Sequence, residues 1–521
     1  MLNNKNIVLG YVSPIGTDLK TFTRKLDQYL DQFVYDTIEI SLSELLCLNY
    51  KKEFEGKSGY NLFYEKIDRG NKFREEHEDS SILAKMSIEL ISRINRGIKK
   101  DKKVCFLIRQ LKRPEEVAVF RDQYKESFFL VGVTAKKSKR IEFLTRESNI
   151  TEEQIQGLFT LDESPTSEKE KKYSQKMRET YENADVFFDV DDKLINISRF
   201  LNLIMNHPHI SPTKEEQHMF MAYSYSLRSA DLSRQVGAAI ESKLGSIISL
   251  GFNDVPCAGG GQYWPGDRDM RDHVLSYDSN AKEINEICKK ILNHNDLNSD
   301  FPLSYKEKKS LLRMVKLKNK KDIFSLFRKY LHRVLPDIIQ KSGVGTLTEF
   351  GRMVHAEMSA ITNAAREGIS VHDGIIYCTT FPCHNCTKHI IAAGIKKVIY
   401  IEAYPKSFAL ELHNDSIAHD ETNLNISEKV LFTPFYGIAP RMFNYFFSMR
   451  HSAGDEKIRK DKMHAASFFS KKATPRYFKN SNVTIENIIS DKCSKIIDEY
   501  FKVIKRVLKH NSDLFANANK E

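Results

Sequence analysis

Two short stretches limit what this chain can become more than any other part of it. They are Val354-His355-Ala356-Glu357 and, some two dozen residues on, Pro382-Cys383-His384-Asn385-Cys386. One imidazole and two thiolates form the donor set that zinc takes when it keeps a fourth position open for water. Cys383 and Cys386 are three apart, so at a helix N-terminus both sulfurs can face one point. The positive end of the helix dipole there also favours deprotonated sulfur. Glu357 is suited to moving protons rather than to holding the metal. A C-x-x-C pair alone would serve equally as a structural zinc knuckle or a redox pair. With His355, Glu357 and Pro382 in place, the pattern predicts a catalytic Zn2+ on His355, Cys383 and Cys386.

A chain of 521 residues has room for two or three domains, each with its own core. No apolar run approaches the roughly 20 residues of a membrane helix, and the opening MLNNKNIVLGYV lacks the pattern of a secretion signal. The expectation is a cytoplasmic protein with no membrane partner. Eight cysteines in this length do not make a disulfide framework. The net charge of +11 is concentrated late: from Arg450 to Glu521, 16 Lys or Arg face 9 Asp or Glu. A basic tail of that kind suits contact with RNA or the solvated side of a helical appendage. An anionic nucleotide substrate would also suit a positive protein.

From the N-terminus, strand-like runs at Asn6–Val12, Tyr35–Ile40, Val104–Arg109, Phe128–Val133 and Val186–Val190 alternate with helical ones, the most periodic being Ser81–Ile98. This alternation predicts a parallel-sheet α/β domain over residues 1–205. The turn after the first strand looks like an altered phosphate loop. A working loop reads G-x-x-x-x-G-K-[ST], whereas Gly10 and Gly16 stand one residue too far apart. Thr17-Asp18 fills the Lys-Ser/Thr position, with Lys20 displaced into the helix, and an aspartate there repels phosphate. Gly10, Gly16, Thr17, Asp18 and Lys20 are thus candidates for a nucleotide site in a P-loop NTPase-like regulatory domain that senses without hydrolysing. An ordinary strand-turn-helix is the plain alternative. Arg109 and Arg113 are candidate anion contacts at a strand's carboxyl end. The turn-rich NHPHISPT, residues 206–213, marks the domain boundary. Its His207 and His209 are spaced like ligands, though such a linker pair is commonly just solvated.

The second half opens with a helix over Lys214–Ser233 and the strands RQVGAAIES and SIISLGFND. The runs SADLSRQVGAAI and GFNDVP resemble the deoxycytidylate deaminase family, and H-x-E followed by P-C-x-x-C is the signature of zinc nucleobase deaminases. The resemblance implies a three-layer α/β/α cytidine deaminase-like domain over 206–449, interrupted by an insertion at 258–350. It implies Glu357 as proton shuttle and Asn253 as a contact to the substrate sugar, where a turn Asn closing the strand is the alternative. The insertion begins CAGGGQYWPGDRDMRDH, whose glycines, Trp264 and arginines could form a lid over a nucleotide. Cys257 and His273 are a weak candidate for a second zinc. Residues 450–521 read as a basic helical extension.

More narrowly, the chain resembles the bacterial anti-phage dCTP deaminases. The matches are GTDL at Gly16–Leu19, FLIRQLKRPEEV at Phe106–Val117, GGGQYWPGD at Gly259–Asp267, the zinc motif, YPKSFALELHNDSI at Tyr404–Ile417 and PFYGIAPRMF at Pro434–Phe443. That resemblance implies conversion of dCTP, and of dCMP, to deoxyuridine nucleotides with release of ammonia, draining dCTP during infection. It also implies a regulatory small RNA in some members, an N-terminal receiver domain and, by analogy, a homo-oligomer. Lys406 and Arg441 are expected on the substrate phosphate, Tyr404 against the pyrimidine, and His384 beside the metal. Two other readings stay open: a cytosine or adenine deaminase acting on RNA or single-stranded DNA, and a nucleotide- or RNA-sensing regulatory protein. An intact Glu357 weighs against the last.

Overall fold

The computed structural model describes residues 6–148, 150–163, 172–191, 194–266, 268–293, 350–402, 407–419, 429–450, 457–461, 464–473, 475 and 491–508. The chain forms two compact units, Met1–Phe220 with Pro434–Glu521, and Met221–Thr433. Each carries a mixed α/β arrangement around one six-stranded sheet.

In the first unit β1 (Ile7–Val12), β2 (Tyr35–Ser41), β3 (Lys103–Arg109), β4 (Phe128–Thr134) and β5 (Val186–Asp189) lie in the order β5-β4-β1-β3-β2. All five are parallel, with Leu9 of β1 opposite Leu107 of β3 and Phe129 of β4. A parallel sheet is covered on both faces, which is why IVLGYV is an unbroken apolar run and is buried throughout. A short strand, Gly437–Ile438, closes the β5 edge in the antiparallel sense. Ile438, Phe446 and Ala473 join the same core as Phe22, Phe129, Phe188 and Phe200. The helix Asp491–Leu508 buries Cys493, Ile497, Tyr500 and Ile504, and its Tyr500 hydroxyl donates to Glu44 at 2.7 Å. The compact units therefore part at 220 and 433, not at the expected 205/206 and 449/450, because apolar residues beyond 433 complete the first core.

The first turn is organised differently from a phosphate loop. Gly10 lies inside β1, where a Cβ would collide with Leu111 and Phe128, so its role is packing. Gly16 supplies the turn with a φ of +86°. Thr17 turns back to bond the Pro14 carbonyl at 2.8 Å, and Asp18 caps the following helix, Leu19–Gln32, by accepting from the Thr21 amide at 3.1 Å. Lys20 is exposed. The loop's Ile15 amide is taken by the carboxylate of Asp162 at 2.8 Å, and Asp162 is 1% exposed. Lys112 ties that carboxylate to the loop, donating to Asp162 and to the Ser13 carbonyl at 2.7 Å each. Arg109 pairs with Glu39, and the buried Arg113 bonds the Ser174 carbonyl and Glu115. His207 packs on Phe468 while His209 bonds the Ala466 carbonyl. Apart from the exposed Lys20, the side chains and the Ile15 amide named here are met by the protein itself.

In the second unit β6 (Gly237–Glu241), β7 (Ile247–Phe252), β8 (Ile375–Thr380), β9 (Lys397–Glu402), β10 (Ile417–His419) and β11 (Val430–Pro434) lie in the order β10-β11-β9-β8-β6-β7. The β6–β7 hairpin is antiparallel, while β8 with β9 and β10 with β11 are parallel. Against β7 packs the helix Ala356–Arg366, whose Ala356, Ala360 and Ala364 repeat every fourth residue on its buried face. These small side chains bring the helix so close that a Cβ on Gly251 would overlap the Ala356 carbonyl and the Ala360 amide. Three polar contacts pin it: Ser249 to the Ala360 carbonyl at 2.6 Å, Asn363 to the Leu250 carbonyl at 2.9 Å, and Gln262 to Ser359 at 2.5 Å.

Candidate metal centre

Both halves of the motif sit at helix N-termini. His355 is the residue immediately before the Ala356–Arg366 helix, which puts Glu357 in its first turn. Cys383 holds the same position before the helix His384–Ala392, and its sulfur accepts the Cys386 amide at 3.5 Å. The two helices are aimed together by their strands. Asp254, just past β7, bridges to Val354, fixing the backbone ahead of His355. The Phe381 amide bonds the Glu402 carbonyl at 2.7 Å, so β8 and β9 jointly direct the turn that carries Cys383.

His355 Nδ1 stands 3.3 Å from the sulfur of Cys383 and 3.3 Å from that of Cys386. Tetrahedral zinc, with bonds of about 2.3 Å to sulfur and 2.0 Å to nitrogen, sets such donors about 3.5 Å apart. Among the described residues, His355, Cys383 and Cys386 are the set of three donors able to hold a metal ion. Their protonation points the same way. The bond from Cys386 and then that from His355 bring Cys383 down to about 4, while the shared bond and burial hold the Cys386 thiol up. His355 is raised to about 9, chiefly by the Cys383 sulfur. Three converging donors that compete for protons are what a divalent cation relieves, taking two thiolates and a neutral imidazole.

Glu357 is 4% exposed, and burial, reinforced by the Cys383 sulfur, lifts its carboxyl above the usual range. It stands beside the donors without being one of them. At the carboxyl ends of β8 and β9, Glu402 accepts from Thr380 at 3.0 Å, and burial raises its carboxyl too.

Residues 212–402 match the cytidine and deoxycytidylate deaminase zinc-binding region. The motif thus lies in a zinc-binding deaminase region, and its His/Cys/Cys group fits the metal. Over 54 residues the chain is 46% identical to the deoxycytidylate deaminase of Enterobacteria phage T2, which is 10% of this chain and 29% of that protein. Over 53 residues it is 47% identical to ComE operon protein 2 of Bacillus subtilis (strain 168), covering 10% of this chain and 28% of that one. The chain therefore spans less than a third of the length of these curated relatives. A crystal structure of dCMP deaminase from the cyanophage S-TIM5 with dCMP and dUMP aligns with 44% of this chain and 100% of its own at 18% identity, with a TM-score of 0.22.

The other expected site residues divide. Asn253 is 4% exposed and uses both ends of its amide internally, accepting from the Val236 amide at 2.7 Å and donating to the Arg234 carbonyl at 2.8 Å. Arg441 belongs to the first unit, where it pairs with Asp185 at 2.8 Å and bonds the Asn183 carbonyl, so the structure gives it an ion pair rather than a phosphate. Tyr404 and Lys406, and most of the 258–350 insertion, lie outside the described residues. His384 meets Phe408 edge-on, with ring centroids 6.1 Å apart. Cys257 bonds the Gly260 carbonyl and His273 faces Asp269, and among the described residues neither belongs to a group of three metal donors.

Sequence reasoning did not single out Asp254, and it took the arginines of the insertion, Arg271 among them, as parts of a lid over a nucleotide. Arg271 forks onto Asp269 at 2.6 Å and reaches Asp254 at 3.4 Å, and Asp254 also accepts the Ala230 amide at 3.2 Å. This buried network stands directly behind the Asp254–Val354 bridge. The GFNDVP motif contained Asp254, but its pairing with Arg271, 17 residues on, shows only in the fold.

Proposed function

We propose that this chain is a hydrolytic deaminase of free deoxycytidine nucleotides. The observation that carries the reading is a buried carboxyl, Glu357, two residues from one member of a converging His/Cys/Cys donor set. His355, Cys383 and Cys386 would hold a zinc ion, which would supply the Lewis acidity that makes water acidic near neutral pH. Glu357 would take a proton from the attacking water as the water oxygen bonds to C4 of the cytosine ring. The same carboxyl returns that proton to the ring nitrogen, then carries the proton of the new C4 hydroxyl to the amine, so that the C4 carbonyl forms as the C4–N bond breaks and ammonia leaves. Burial suits Glu357 to this task, because it lifts the carboxyl above its usual range and so favours the protonated form from which it can donate.

Similarity to deoxycytidylate deaminases supports a dCMP-type substrate. Preference for dCTP, and depletion of dCTP in phage defence, belong to the same proposal and rest on the resemblance to the anti-phage enzymes. Zinc-loaded full-length protein is to be incubated separately with dCMP, dCTP, CTP, single-stranded DNA and RNA while uracil is followed. Uracil from dCMP or dCTP is expected. Uracil from polymer alone overturns the free-nucleotide reading, and no uracil from any substrate overturns the deaminase reading.

A further inference from the structure

In the first unit the chain runs out from β1 to one side through β2 and β3, then to the other through β4 and β5. The crevice at the carboxyl end of such a central strand is where open parallel sheets take ligands. Here the protein fills it with a carboxylate of its own. Ser13 directly follows β1, and Lys112 lies just beyond the neighbouring β3. Between them stands the buried Asp162, whose two oxygens meet separate donors. Oδ2 accepts the Ile15 amide at 2.8 Å, and Oδ1 accepts the Lys112 ammonium at 2.7 Å. Lys112 also donates to the Ser13 carbonyl at 2.7 Å, and its side chain is nine-tenths buried. A loop amide and an ammonium converging on two oxygens are the kind of donors that hold phosphate.

The carboxylate is not there for the sake of its own helix. Asp162 is the penultimate residue of the helix Glu152–Glu163, whose last turn has no basic residue, and negative charge is disfavoured at that end. The helix also stands apart from the sheet's core. Its Ile155, Leu158 and Phe159 pack with Ile67, Leu144 and Ile150 in a small cluster of their own. Arg140 of the helix Lys137–Ser148 fastens the same layer to the turn, donating to the Ile15 carbonyl at 2.8 Å with its guanidinium 4.3 Å from the Phe159 ring centroid. The Lys176 amide bonds the Lys112 carbonyl at 2.9 Å, which lays residues 174–176 beside Lys112. There Ser174 Oγ and Gln175 Oε1 are buried without a hydrogen-bond partner.

We propose that Asp162 is an internal stand-in for a phosphate-class anion, and that the helices Lys137–Ser148 and Glu152–Glu163 form a lid held shut over the site by that contact. Opening the lid frees the Ile15 amide and the Lys112 ammonium together. The inference concerns the first unit and does not rest on the deaminase reading.

Full-length wild type, Asp162→Asn, Asp162→Ala and the double variant Asp162→Asn/Lys112→Met are titrated with inorganic pyrophosphate by calorimetry, with chloride matching the ionic strength. Asp162→Asn keeps the side chain's shape and guards against a failure of Asp162→Ala to fold. Either change leaves the Lys112 ammonium buried without its counter-charge, which an external anion relieves. Saturable binding is expected in the single variants, at least about 10-fold tighter than in wild type, the value of one charged hydrogen-bonding contact. Pyrophosphate should raise the Tm of these variants and not that of wild type. Amides of residues 152–163 should exchange faster in the variants, and the double variant should lose the binding. ATP is titrated in parallel: equal affinity assigns the site to the phosphate group alone, tighter ATP to a nucleotide, and both support the stand-in. Folded single variants that take up no pyrophosphate, or binding that survives the loss of Lys112, would overturn the anion assignment. Unchanged exchange over residues 152–163 would overturn the lid.

Discussion

Replacing Gly251 by alanine tests how tightly the metal centre depends on the packing beneath it. The added Cβ would overlap the Ala356 carbonyl and the Ala360 amide and stand 3.0 Å from the Ala360 Cα. All three atoms are backbone, so no side chain can swing aside. Comfortable carbon contacts begin near 3.5 Å, and the helix would have to withdraw by about 1 Å. Overpacking of this kind costs about 1–3 kcal/mol of stability. The functional consequence is larger, because Ala356 lies between His355 and Glu357. A shift of about 1 Å moves one ligand and the proton carrier against Cys383 and Cys386, where metal sites tolerate only about 0.2 Å. Misplacement on that scale costs about 100-fold in rate. The expected result is a folded Gly251→Ala protein with reduced zinc by elemental analysis and kcat/KM lowered about 100-fold. Gly157→Ala is the control: nothing lies within 4 Å of a Cβ there, and a helical Gly→Ala change should stabilise by about 0.5–1 kcal/mol with zinc unaltered. Full zinc and activity within about twofold of wild type in Gly251→Ala would refute the argument that this contact sets the ligand geometry.

Other expectations follow from single contacts. Glu357→Gln should keep its zinc while kcat falls by a factor of about 100 to 10,000, and loss of the metal instead would make Glu357 a ligand. Arg271→Leu strands the buried Asp254 carboxylate and should lower stability by about 3–5 kcal/mol in chemical denaturation. In wild type the hydrogen bond from Arg271 holds Asp269 down to about 2. That contribution is present above the unfolded carboxyl value near 4 and is lost as pH falls toward 2. The variant should therefore show a shallower acid limb, and an unchanged one would count against the network. Because Asp162 occupies the Ile15 amide, wild type should bind no ATP by calorimetry. Micromolar binding at the first turn would show that the carboxylate is readily displaced.

The chemistry of the donor set was legible because it is local. His355, Glu357, Pro382, Cys383 and Cys386 lie within a few residues of two helix starts, and a helix start orients neighbours by itself. The strands of the first unit were legible for a similar reason, since a strand covered on both faces must be continuously apolar. The first turn misled because glycine spacing is blind to what packs nearby. Only the fold shows that Gly10 makes room for Leu111 and Phe128, and that Asp162, nearly 150 residues away, meets the Ile15 amide. Arg441 followed the same pattern, its charge decided by Asp185 from a distant part of the chain.

The amino-acid order alone thus determined which atoms can grip a metal and which carboxyl stands beside them, since those depend on residue type and short spacing. The folded arrangement decided how the grip is held. Gly251 under the helix and Arg271 behind Asp254 are each brought into contact by residues remote in sequence. Burial and charge pairing act through space, and no local pattern records them.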